Sequence, residues 1–131
     1  MEKEEIKKRI YKLRKERQLL ETHCLSIVSQ MPLWLSIRYT KCGKEGCKCM
    51  KGEMHGPFSY VSFKEGGKLH YRYISGKRLR KIRQAINNYH SFQEKIARMN
   101  AIHAEIISLL KKNQKSNLVS IPKWIIEKKK G

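Results

Sequence analysis

The sequence has no aspartate: all 11 acidic residues are Glu, and they are scattered along the chain. An Asp-built catalytic triad or a two-metal carboxylate nuclease needs carboxylates converging on one point, so both are hard to assemble here. Binding is favoured over catalysis, and the chain is expected to be non-enzymatic. A long apolar run is also missing, since the longest uncharged stretch, from Thr22 to Ile37, contains Pro32 and several polar residues. The amino terminus is acidic and then basic, with no segment resembling a signal peptide, and neither an amino-terminal Gly nor a carboxyl-terminal Cys offers a lipidation site. A cytoplasmic protein without a membrane partner is expected.

What the chain has in excess is positive charge. Its 131 residues carry 30 Lys and Arg, a net charge of +19 and a pI near 10.0. A compact fold carries such a charge most easily when a polyanion offsets it. The distribution is blocky, with +7 over residues 64–83 and +6 over 111–131, whereas 84–110 sums to zero. The neutral blocks 18–37 and 84–110 are rich in aliphatic residues and are expected to be the packing surfaces.

Periodicity predicts an α+β fold: two long antiparallel helices flanking a small antiparallel sheet, formed by a hairpin and one further strand, with a zinc-knuckle-like loop. Ile6, Ile10, Leu13, Arg17, Leu20, Cys24 and Ile27 recur at helical spacing, giving a helix over 1–31 that ends before Pro32. A second stripe runs Leu79, Ile82, Ile86, Tyr89, Gln93, Ile96, Met99, His103, Ile106 and Leu110, with no Gly or Pro between Lys77 and Lys112. It predicts one long helix over 77–112.

Between the helices the period shortens to two. A strand and Cys/His loop are expected over 34–57 and a hairpin over 58–74. Gly66-Gly67 at the turn would oppose Tyr60 to Tyr73 and Phe63 to His70. One sheet face would carry Phe58, Tyr60, Leu69, Tyr71 and Tyr73. The other would carry Ser59, Val61, Phe63, His70, Arg72 and Ile74. Residues 1–112 then form a single domain and 113–131 a basic tail.

Three of the four cysteines fall within eight residues, Cys42-Gly-Lys-Glu-Gly-Cys47-Lys-Cys49, and His55 follows. Four sulfur or nitrogen donors suit a closed tetrahedral zinc site, so Cys42, Cys47, Cys49 and His55 are expected to hold one structural Zn2+ per chain, with Cys24 or His70 as substitutes for His55. Three ordinary thiols in a turn are the competing explanation. The stretch Arg38 to Tyr60, followed by a Gly-Gly hairpin and a long helix, resembles a family of short prokaryotic proteins of unknown function. That family carries C-G-K-P-x-C-x-C and then G-x-x-H-G-P-Y-Y-Y. The resemblance spans about residues 35–110 and implies that the Cys/His segment is one unit. The chain departs from the pattern at Glu45, in place of Pro, and at Phe58-Ser59, in place of two Tyr.

The run Gly76-Lys-Arg-Leu-Arg-Lys-Ile-Arg83 sets five cations at the positive end of a helix dipole. A phosphate there would meet free helix amides and cations together. Lys77, Arg78, Arg80, Lys81 and Arg83 therefore head the candidate nucleic-acid contacts. Lys41, Lys44, Lys48 and Lys51 form a second patch, and Arg72 with His70 a third. With no helix-turn-helix visible, structured or single-stranded RNA is favoured over DNA. The alternatives are a DNA-binding accessory or regulatory protein of a mobile element and a coiled-coil protein-assembly module that dimerises through the long helix. A small zinc enzyme with Glu53 as general base is the least favoured.

Overall fold

The computed structural model describes residues 2–41, 43–47 and 52–127. It is α+β, in the order α1 (Lys3–Ser26), β1 (Trp34–Thr40), β2 (His55–Glu65), β3 (Lys68–Ile74), α2 (Gly76–Asn117) and α3 (Lys123–Ile126). Among the described residues no helix is long and apolar enough to cross a membrane. The chain divides into two compact units, one of residues 1–22 with 96–131 and one of residues 23–95.

In the helical unit, α1 and the later part of α2 pair antiparallel. Glu4 and Glu5 lie in the first turn of α1, where the helix dipole favours anions. Ile6, Leu13, Ile102 and Leu109 form the buried cluster, with Ile10, Leu20 and Ile106 packed against it. Leu13 and Ile102 are fully buried, and at about 25 cal/mol per Å² of apolar surface each contributes about 2 kcal/mol. Two ion pairs flank this seam: Arg9 Nε donates to Glu105 at 2.6 Å and Arg98 Nη2 to Glu16 at 2.7 Å, each in a two-bond fork. The charge-assisted bond from Arg98 holds the Glu16 carboxyl below its usual range, and that from Arg9 does the same for Glu105.

The expected stripe of α1 is buried or half-buried at every position, but that of α2 slips by one residue after Tyr89. Met99 and Ile106 are on the packed face as expected, whereas Ile102 and Leu109 replace His103 and Leu110. Adjacent aliphatic pairs such as Ile106-Ile107 and Leu109-Leu110 leave the phase open until a partner helix selects one member.

In the sheet unit the order is β1-β2-β3, antiparallel throughout. Tyr60 opposes Tyr73 and Phe63 opposes His70, as the Gly66-Gly67 turn requires, and both turn glycines have positive φ, 59° and 79°. α1 stops at Ser26, short of Met31. Its last turn tightens, with Ser26 Oγ donating to the His23 carbonyl and the Ile27 amide to Cys24. The following segment is then tied to α2: the Met31 amide donates to the Ala85 carbonyl, Asn88 Nδ2 to the Val28 carbonyl and His90 Nε2 to the Leu33 carbonyl. Ser59 and Val61 on the sheet and Ala85 and Ile86 on α2 are the buried residues of this unit.

Candidate nucleic-acid interface

α2 begins where the Ser75 carbonyl accepts the amides of Arg78 and Leu79, both at 3.0 Å. Its first turn carries no acidic residue, unlike that of α1. Lys77, Arg78, Arg80, Lys81 and Arg83 are all exposed, while Leu79 and Ile82 are half-buried. The ion pairs among the described residues engage Lys7, Arg9, Arg17 and Arg98, so none of the five cations has a carboxylate of a described residue within 4.0 Å. A shallow groove of about 410 Å³ follows one side of this turn past Gly76, Leu79, Arg80, Arg83, Gln84 and Asn87. Helix amides, five unneutralised charges and a groove therefore coincide at one helix start.

The second basic patch is described only in part. Lys41 and Lys44 are exposed beyond the end of β1, and Lys48 and Lys51 lie outside the described residues. In the third, Arg72 is exposed with Nη1 donating to the Tyr71 carbonyl at 3.2 Å. His70 is half-buried and stacks on Phe63, with centroids 5.5 Å apart and planes 24° from parallel.

The expected zinc ion requires correction. Of its four ligands the described residues bring together two: Cys47 Sγ lies 3.0 Å from His55 Nε2, beside a small pocket also lined by Thr40, Lys44 and Phe58. Cys42 and Cys49 fall outside the described residues. Among the described residues no group of three or more His, Cys or Glu side chains is gathered so that it could hold a metal ion. A closed tetrahedral site needs four donors, and a thiol with one imidazole supplies two. Neither Cys24 nor His70 completes the set, since among the described residues neither joins the pair to make a group of three donors. Short-range spacing gathers donor types in the sequence, but coordination depends on where the backbone directs them.

The aromatic sheet face is the feature that sequence reasoning resolved least. Register and alternation place Phe58, Tyr60, Tyr71 and Tyr73 on the face opposite the buried Ser59 and Val61. Tyr71 and Tyr73 remain 45% and 57% exposed, against 4% for Val61, so one face is covered and the other open. Tyr73 meets Tyr60 and Phe58 edge to face, at 5.8 and 6.3 Å between centroids. Arg38 of β1, which opposes Phe58, lays its guanidinium 5.3 Å above the Tyr60 ring and 4.6 Å above the Tyr71 ring. Arg38 was absent from the sequence-based candidates, and only the pairing of β1 with β2 reveals its place among the rings.

Gly56 permits that pairing. The β1–β2 register shifts between Arg38 and Thr40, and Gly56 passes this irregularity with φ of 144°. A Cβ there would come within 2.9 Å of the Arg38 carbonyl and 2.8 Å of the Tyr39 ring. Only glycine fits without displacing the strand.

A family model described as a domain of unknown function (DUF6788) matches residues 3–84, which include α1, the whole sheet and the basic start of α2. No curated protein and no solved structure matches the chain.

Proposed function

The chain belongs to this family, a domain of unknown function (DUF6788), and from that premise we propose that it is a small, non-enzymatic nucleic-acid-binding protein that takes structured or single-stranded RNA through phosphate contacts. The observation that carries the proposal is the start of α2: five exposed cations without acidic partners among the described residues, at a helix end whose dipole is already positive. Left to solvent, each cation in the first turn costs about 0.3–1 kcal/mol at low salt. A phosphate reverses that sign, because amides and side chains then act on one anion. The net charge of +19 extends the same preference over the chain. A cytoplasmic location goes with an RNA ligand. The segment from Cys42 to Phe58 we take as the family's sequence signature.

RNA is preferred to duplex DNA because a three-stranded sheet with an open aromatic face suits flexible or unpaired strands better than a rigid groove. The buried row of the later part of α2 is occupied by Ile6 and Leu13 of the same chain, so a self-associating coiled coil gains no support from that row.

The test is fluorescence anisotropy with a labelled RNA across a salt series. Replacing Lys77, Arg78, Arg80, Lys81 and Arg83 together by Gln should weaken binding and flatten the log-log salt dependence by about 3.5 if all five meet single-strand phosphates. Unchanged affinity in a folded variant would refute the assignment, and a clear preference for duplex DNA in competition would replace RNA as the ligand.

A further inference from the structure

We infer that the open face of the β-sheet is a base-stacking site, so that the protein selects nucleic acid whose bases are unpaired. This inference rests on the proposed nucleic-acid binding and adds what the phosphate contacts cannot supply, a distinction between single strand and duplex.

The face combines three features. It is aromatic where a solvated sheet face is ordinarily polar: Phe58, Tyr60, Tyr71 and Tyr73 lie together across β2 and β3, and Tyr71 and Tyr73 are about half exposed. Four rings on one open face are more than the hairpin needs, since the opposite face already buries Val61 and Ser59. The second feature is Arg38, whose guanidinium already occupies the space above Tyr60 and Tyr71 at 5.3 and 4.6 Å. A guanidinium plane and a phenol ring are the surfaces on which an unstacked base settles, and each base has a flat π-face of its own to offer.

The third feature is charge, which separates a nucleic acid from an apolar protein partner. Alternation along β2 puts Lys64 on this face with Arg38, and none of the face positions on the three strands is acidic. Beyond the end of β1 Lys41 and Lys44 are exposed, next to the exposed Glu45. The charged side chains at the face positions are cations, which complements a strand that presents bases and phosphates in alternation. A duplex presents phosphates and groove edges but no free base faces, because its bases are already stacked and paired.

The experiment compares two labelled strands of equal length at moderate salt: a short unstructured RNA of mixed A and U, and the same backbone built of abasic ribose phosphates. The full chain should bind the base-bearing strand more tightly, by about 5- to 160-fold for one stacked base. Tyr71→Leu and Tyr73→Leu, each made at an exposed side chain and checked for folding by circular dichroism, should each reduce that preference while leaving abasic-strand binding unchanged, and Arg38→Ala, which also removes a cation, should reduce the preference while weakening both strands. A stacking-sensitive fluorescent base within the strand should be quenched on binding to the native protein and less so on binding to the variants. Equal affinity for the two strands would overturn the inference and leave phosphate binding intact. A base preference that all three folded variants retain would overturn the location. If neither strand binds, the proposed function fails and this inference with it.

Discussion

Leu13 and Ile102 are the residues on which the helical unit depends most, since both are fully buried and each faces the other helix. Leu13→Ala or Ile102→Ala should cost about 2–5 kcal/mol, seen as a lowered midpoint in urea unfolding. Gly56→Ala should destabilise by more than about 1 kcal/mol, because the new methyl meets a backbone carbonyl at 2.9 Å and the φ of 144° is unfavourable to any L side chain. The Glu16 and Glu105 carboxyls, held below the usual carboxylate range by Arg98 and Arg9, set the sign of a pH effect. A depressed carboxylate stabilises the folded state above its unfolded pKa, and that contribution is lost as pH falls through the folded value. Arg9→Met or Arg98→Met should therefore lower the melting temperature slightly at neutral pH, since these pairs are partly solvated, and the difference from the native protein should close as pH falls through the lowered folded-state values. A difference that persists in acid would mean that the arginine stems, not the ion pairs, were responsible.

At the scale of elements, α2 shows how stability and binding can be opposed. Its first turn holds Lys77 and Arg78 and no acid, which is the wrong charge for the helix and the right charge for a phosphate. Lys77→Glu should raise the melting temperature while weakening RNA binding; if both fall together, the residue is structural. Much of this element was legible in advance. The absence of Gly and Pro, the cation run and the half-burial of Leu79 and Ile82 all follow from local sequence. The packed row beyond Tyr89 was not: Leu109-Leu110 satisfies either phase and only the antiparallel α1 chooses Leu109, whereas at 102–103 the aliphatic Ile102 is buried in place of the polar His103 that the spacing selects. The strands behaved in the same way. β1 falls on Trp34–Thr40 as alternation predicts, and the hairpin register follows from Gly66-Gly67. Which of two apolar faces is covered could not be read from alternation, since neither is polar.

For the whole molecule, 30 cations against 11 anions mean self-repulsion that salt should relieve. The melting temperature is expected to rise from low to moderate ionic strength in a dye-monitored melt. A polyanion should produce a larger rise at far lower concentration through preferential binding to the folded state. A melting temperature indifferent to both would show that the charges are spaced widely enough to need no compensation. Composition and period by themselves determined the surplus charge, the helix and strand order and the turn chemistry, because these depend on residues within a few positions of one another. Tertiary structure alone decided that Cys47 and His55 meet as a pair, that Arg38 lies across Tyr60 and Tyr71, and that the Tyr71–Tyr73 face stays open while Val61 is buried. The contacts join residues eight or more positions apart, and the open face depends on which side other elements cover; strand register and side-chain packing fix both, and local sequence does not encode them.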